Sequence, residues 1–134
     1  MLYDANRERM EARAAGERAL ASLRAALRDL SSARNFGLWD MLGGGSFVTL
    51  FKQMKLNAAK RNMDQAKRDL YAFARELGDI RDCDLTVETG DFLTFADFFF
   101  DNFFVDWMVQ DRIVRAGQQV EDAIRRVEYV MARL

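Results

Sequence analysis

Three observations predict an all-α fold for this chain. None of its 134 residues is proline, where average usage of about 5% would place about six or seven. Long uninterrupted helices are the simplest reason. Apolar residues recur at alternating three- and four-residue steps in three separate stretches, and a glycine-rich corner and a polar corner lie between them. The expected architecture is an elongated antiparallel three- to four-helix bundle with coiled-coil-like heptad packing, one domain over residues 1–134.

The first helix is expected over residues 4–34. Asp4 has the side chain of an N-cap, and Leu20, Leu23, Leu27 and Leu30 form the stripe. Around Gly16 the stripe gives way to alanines, which predicts close packing or fraying there. "NFGLWDMLGGGS" carries four glycines between Gly37 and Gly45 and is expected to end the helix. Ser46 can cap a new one, and residues 46–55 are either its start or a short fourth helix.

From Leu56 the pattern runs through Ala59, Met63, Ala66, Leu70, Phe73, Leu77 and Ile80 without a miss. That seam covers over three heptads, about 37 Å of helix. Gly78 marks its end, so Ile80 is expected to pack from the turn. Residues 79–90, "DIRDCDLTVETG", read as a polar connection with a short extended piece at "LTVE". A last long helix, capped by Thr89 or Asp91, is expected to reach the C-terminus through Ile113, Gly117, Val120, Ile124, Val127, Met131 and Leu134.

The composition excludes several chemistries. There is no histidine and one cysteine, Cys83. Ser-His and Cys-His nucleophile systems, imidazole-bound haem, zinc and di-iron sites therefore fall away, and no cofactor is implied. An isolated cysteine also points to a reducing compartment. The opening "MLYDANRERM" lacks the apolar core of a secretory signal. Residues 92–109 are apolar enough to invite comparison with a membrane span, but Asp97, Asp101 and Asp106 would each cost about 2.5–3.5 kcal/mol at a bilayer centre. No membrane span and a cytoplasmic location are expected.

Charge is distributed unevenly. The net value is −1, yet residues 79–111 hold nine acids against one base. Within them, "DFLTFADFFFDNFFVDWMVQDRI", residues 91–113, places seven phenylalanines and a tryptophan among five aspartates. On a helix, Phe92, Phe95, Phe99, Phe103 and Trp107 share one side and are expected to be core. Asp97, Asp101 and Asp111 fall on another side. Phe98 lies on one flank of that acidic stripe, with Phe100 and Phe104 on the other. Apolar surface on nearly every side means a helix central to the bundle, or one with a flank open to a partner. The residues expected to meet a partner are Phe98, Phe100, Phe104, Asp97 and Asp101, and a homodimer burying Phe98 or Phe100 is the form expected. Within the chain, Lys52, Lys55, Lys60, Arg61, Lys67 and Arg68 are the bases placed to neutralise the aspartates. On the outer face of a heptad helix such bases are solvated, so nucleic-acid binding is not expected.

"MLGGGSFVTLFK" lacks the Gly-Lys-Ser/Thr ending and the preceding strand of a phosphate loop, and reads as an interhelical corner. "RELGDIRD" contains Glu76 and Asp79 as ExxD, which resembles the carboxylate motif of the all-α MazG-like nucleotide pyrophosphohydrolases. That resemblance implies a Mg²⁺-dependent hydrolase of nucleotide-like substrates, with oxygen ligands drawn from Glu76, Asp79, Asp97 and Asp101. The chain departs from the family in lacking ExxE on the preceding turns. Glu8 and Glu11 have that spacing, but on a helix far upstream. "DFFFD", Asp97 to Asp101, resembles the aspartate-rich magnesium motif of isoprenoid synthases, a fold much longer than this chain and needing a second motif. More broadly, "NFGLWDMLGGG", the heptad helix and "FADFFFDNFFVDWMVQDRI" are similar to a pattern in uncharacterised bacterial all-helical proteins. This covers residues 35–113 and implies a helical fold and a bacterial context. The leading expectation is a small non-enzymatic interaction or scaffold protein that self-associates or docks a protein partner. The competing one is the magnesium hydrolase.

Overall fold

The computed structural model describes the backbone of residues 2–41, 46–107 and 113–134, and side chains within 2–35, 50, 53–82, 89–101 and 115–134. The chain is all-helical: α1 Ala5–Met41, α2 Ser46–Gly78, α3 Cys83–Trp107 and α4 Ile113–Met131, with no strand among the described residues. No helix among them is long and apolar enough to cross a membrane. α1 packs on α2 and α4, and α3 packs on the same two helices.

Asp4 caps α1, its Oδ1 accepting the Arg7 backbone N–H at 3.2 Å. The helix does not stop at residue 34 but continues through Gly37 to Met41. Helix-forming neighbours on both sides carry an isolated glycine, whose cost is about 1 kcal/mol. Its buried face is rich in alanine: Ala12, Ala15, Ala19, Ala26 and Ala33 are at most 1% exposed, alongside Leu20, Leu23 and Leu30. Such small side chains let α1 approach two helices at once. At Gly16 the approach is closest. A Cβ there would stand 2.8 Å from Met131 Sδ and 3.1 Å from Phe73 Cε1. The weakened stripe around Gly16 is thus a site of tight packing.

Residues 46–55 are continuous with α2, so they form no separate helix. Every seam residue from Ala59 to Ile80 is buried, and Leu56 packs against the core partly exposed. α2 ends in tightened turns, Asp79 N–H to Glu76 C=O and Ile80 N–H to Leu77 C=O, which leave Ile80 buried past the helix end. Polar pairs link α1 to α2, Ser22 to Asp69 at 2.5 Å and Asn62 to Asp29 at 2.6 Å, and Arg9 reaches Asp82 just beyond the end of α2 at 3.1 Å.

Two expectations about the C-terminal half are corrected. α3 begins at Cys83, not at Thr89 or Asp91, and "LTVE" is helical. Asp82 is a preferred capping residue immediately before Cys83, and two β-branched residues are too few to outweigh it. The expected single last helix is two, with residues 108–112 outside the described ones. The fourth helix therefore comes from this division. α3 contributes Phe92, Ala96, Phe99 and Phe100 to the core, with Phe92 edge-on to Phe73 at 5.5 Å. α4 contributes Ala116, Val120, Ala123, Val127 and Val130.

Candidate functional site

α3 touches only α2 and α4 at the backbone level among the described residues, so one of its sides faces outward. That side carries Phe98, 70% exposed, with exposed Asp97 and Asp101 beside it, and Leu93 lies across the acidic stripe from Phe98. Phe100, expected on the docking flank, is instead 2% exposed. It lies edge-on to Phe99 at 4.9 Å and near Tyr71, with Lys67 Nζ 5.9 Å above its ring. The α2 face that covers it is broader than a heptad stripe alone suggests. Phe104 lies outside the described side chains. Of the five expected partner-binding residues, three share the outward face: Asp97, Phe98 and Asp101.

The aspartates are not neutralised in the way the bases of α2 led us to expect. Among the described residues, no ion pair includes Asp97 or Asp101. Asp97 instead accepts a hydrogen bond from the Tyr71 hydroxyl. That bond, helped by burial and the charges of Asp97 and Asp101, pushes the Tyr71 phenol up to about 12, because ionising it would put a second anion beside the first.

Beside this face, α2 and α3 enclose an open groove of about 640 Å³. Its floor is Tyr71, Ala74, Thr89 and Leu93, and its rim is Lys67, Arg68 and Arg75. Among the described residues no ion pair includes any of these three bases. A second hollow, between α3 and α4, holds Arg126 stacked 4.5 Å over Phe95, with Arg125 paired to Asp122.

A third grouping lies where the start of α1 meets the end of α2. Carboxylate oxygens of Glu8, Glu76 and Asp79 all come within 4.8 Å of one another. The competing metal set is therefore reassembled: Glu76 and Asp79 join Glu8 and not Asp97 or Asp101, which lie outside this group. The upstream Glu8 is not remote from the ExxD motif but against it. Glu8 is held above its ordinary value by partial desolvation and then by the like charges of Glu11, Asp79 and Glu76. Arginines surround the group. Arg7 binds Glu11 at 3.1 Å, and Arg9 binds Asp82. The Arg81 guanidinium stacks on Tyr3 at 4.6 Å while its backbone N–H donates to the Tyr3 hydroxyl at 2.8 Å. Glu8, Glu11, Asp79, Arg7 and Arg81 line one open hollow of about 440 Å³.

The chain matches no protein-family model, no curated protein and no solved structure. Function is therefore read from geometry. The basic groove and the Glu8 contact were both missed in the sequence. Lys67, Arg68 and Arg75 stand out as α2 bases near the seam, but that Leu93 completes a groove with them depends on how α3 is rotated. The signal for Glu8 was available in its ExxE spacing with Glu11.

Proposed function

We propose that this is a small, non-enzymatic helical interaction protein that docks through the outward face of α3, onto a second copy or a protein partner. The observation that carries this reading is Phe98, 70% exposed between aspartates that meet no base among the described residues. An aromatic ring in water forgoes burial worth about 1.5–3 kcal/mol, and aromatic side chains are enriched at the centres of interfaces. The finer architecture we infer is an elongated antiparallel four-helix bundle with coiled-coil-like packing. It is supported by the Arg9–Asp82, Ser22–Asp69 and Asp29–Asn62 pairs, whose residue numbers add to the same total. A cytoplasmic location in a bacterial cell is part of the same reading, supported by the isolated Cys83 and the sequence pattern of residues 35–113.

Light scattering at micromolar concentration tests the docking face. Wild type should scatter above its 15.5 kDa chain mass, and Phe98→Ser should return to it. A strict monomer in wild type, or an unchanged oligomer in the variant, sinks the proposal for self-association.

A second reading has its own support in the convergence of Glu8, Glu76 and Asp79. A hard divalent cation wants several oxygen ligands, and this group could supply three, from α1, α2 and the turn that ends α2. As a Mg²⁺-dependent hydrolase, the protein would turn Arg7 and Arg81 toward the phosphates of a nucleotide-like substrate. Millimolar Mg²⁺ or Mn²⁺ would then raise the melting temperature, since a ligand bound only by the native state stabilises it. Glu76→Gln would abolish the rise. Without such a rise the metal reading falls, and the first reading stands alone.

A further inference from the structure

The groove between α2 and α3 runs along α2 from Lys67 to Gly78, about three helical turns or about 16 Å. On α2, Lys67, Tyr71, Ala74 and Gly78 follow one line, and Arg68 and Arg75 follow the edge beside it, two turns apart. Thr89 and exposed Leu93 complete the floor from α3. At Gly78 a Cβ would meet nothing within 4 Å, so that end of the groove is open. The α2 edge carries charge of one sign. Among the described residues no ion pair includes Lys67, Arg68 or Arg75. Lys67 lies over the Phe100 ring and Arg68 donates to Gln65 Oε1 at 2.7 Å, contacts with neutral groups that leave both charges in place. On the α3 side, Asp97 is engaged by the Tyr71 hydroxyl.

We propose that this groove docks an acidic amphipathic helix of a partner protein. The partner's apolar stripe covers Tyr71, Ala74 and Leu93, and two of its acids, also two turns apart, meet Arg68 and Arg75. A long, open channel with an apolar floor suits a helix laid lengthwise, whose anchors recur at three- and four-residue steps. It suits a small ligand less, because small-molecule sites enclose most of what they bind. The unpaired bases choose the sign of the partner. Charge at such a rim governs which partner is accepted and how fast it arrives, more than how tightly it is held. This surface is distinct from the Phe98 face. Leu93 and Phe98 stand about 140° apart on α3, on opposite flanks of the Asp97 and Asp101 stripe, so the groove does not depend on self-association through Phe98.

Fluorescence anisotropy of two labelled helical peptides against the full chain tests this. Each peptide has about four turns and a leucine stripe at three- and four-residue steps, flanked by glutamates in one and by lysines in the other. The acidic peptide should bind saturably, at least about tenfold tighter than the basic one. Arg68→Glu with Arg75→Glu, both at exposed positions, should reverse that preference. Gly78→Trp places a ring in the open end and should block either peptide, while Phe98→Ser should change neither. Circular dichroism and melting curves check that each variant folds, and exposed Leu93→Ser replaces Gly78→Trp if that variant does not. Raising salt from about 0.05 M to about 0.5 M should weaken the acidic peptide.

Several results would overturn the assignment. One is no saturable binding of the acidic peptide up to about 1 mM, where even a weak complex should form. Another is binding that ignores the charge reversal or the block at Gly78. If dodecanoate binds with the dependence on Arg68, Arg75 and Gly78 expected of the peptide, and the peptide does not bind, the groove takes an acyl chain instead. If wild type dimerises and Gly78→Trp alone dissociates it, the occupant is a second copy. Loss of self-association in Phe98→Ser with peptide binding intact leaves both readings standing, and a monomeric wild type that binds the acidic peptide keeps this one alone.

Discussion

Two glycines should answer alanine substitution in opposite ways. Gly16 and Gly117 both lie inside helices, so Gly→Ala at either gains about 1 kcal/mol from backbone preference alone. At Gly117 a new Cβ meets Leu27 Cδ1 at 3.9 Å, ordinary van der Waals contact, and the gain should be kept. Gly16 is different. Its Cβ would lie 2.8 Å from Met131 Sδ, 3.0 Å from Met131 Cγ and 3.1 Å from Phe73 Cε1. Met131 is partly exposed on a flexible side chain near the chain end and can swing away. Phe73 is fully buried with Phe92 edge-on against it and must shift by tenths of an ångström. Overpacking of this kind costs about 1–3 kcal/mol. Net, Gly117→Ala should stabilise by about 0.5–1 kcal/mol, and Gly16→Ala should range from neutral to about 2 kcal/mol destabilising. Urea melts fitted with a common slope measure both, and Met131→Ala should rescue part of the Gly16 loss. If Gly16→Ala stabilises as much as Gly117→Ala, then α1 does not approach α2 and α4 as closely as described.

Three further outcomes follow from single side chains. Leu70→Ala removes a fully buried seam residue and should cost about 2–5 kcal/mol in the same urea melts, whereas a loss below about 0.5 kcal/mol would mean the α2 register is wrong. In an ultraviolet titration, one of the three tyrosines should ionise near pH 12, and Asp97→Asn should bring that step back toward 10. The raised value means that the phenol's contribution to stability is fully present below pH 10 and is lost as pH rises through about 12, so wild type should lose more than Tyr71→Phe in that window. For Glu8, also raised, the contribution is present below its ordinary 4.5 and lost as pH rises through the folded value. Glu8→Gln should therefore melt higher than wild type at pH 7, with the gap closing as pH falls below 4.5, and equal melting temperatures at pH 7 would show that the acids do not repel.

Much of the architecture was legible because helical seams are written locally. The steps from Ala59 to Ile80 return as buried residues, Asp4 caps where its type predicts, and the run of small residues around Gly16 marks a close approach. What failed was the placing of boundaries. Gly37 does not end α1, because one glycine costs only about 1 kcal/mol, and α3 starts well before Thr89, because Asp82 offers a capping side chain just ahead of Cys83. The candidate surface was legible in part. Helical angles put Asp97, Phe98 and Asp101 away from the Phe92–Phe99 stripe, which is where they lie. Those angles could not decide between Phe98 and Phe100, since the width of the α2 face against α3 is a property of two helices together. Glu8 was missed for the same reason. The constant total shared by the α1–α2 pairs brings Glu8 within about one helical turn of Asp79, but that total is known only once one pair is known.

The described acids of the stretch 79–111 fall into two groups with different surroundings. Near the start of α1, Asp79 and Asp82 sit among arginines: Asp82 is bound by Arg9, and Arg7 and Arg81 share the hollow with Asp79. Asp82 is thus paired within the chain, whereas Asp79 stands against Glu8 and Glu76, and an exposed pair such as Arg9–Asp82 is worth about 0–1 kcal/mol. Farther along α3, Asp97 has a neutral phenol as its donor, and Asp101 has no base in an ion pair among the described residues. A phenol hydrogen bond orients a carboxylate and leaves its charge in place. The field of this part is therefore directed outward, from the side of α3 that also carries Phe98. Salt should separate the two. Screening on the scale of about 8–10 Å at physiological ionic strength should weaken the proposed association through α3 while leaving the arginine-lined end of the chain nearly as stable as before. Among the described acids of this stretch, Asp82 is clamped to α1 while Asp97 and Asp101 give the face of α3 its sign.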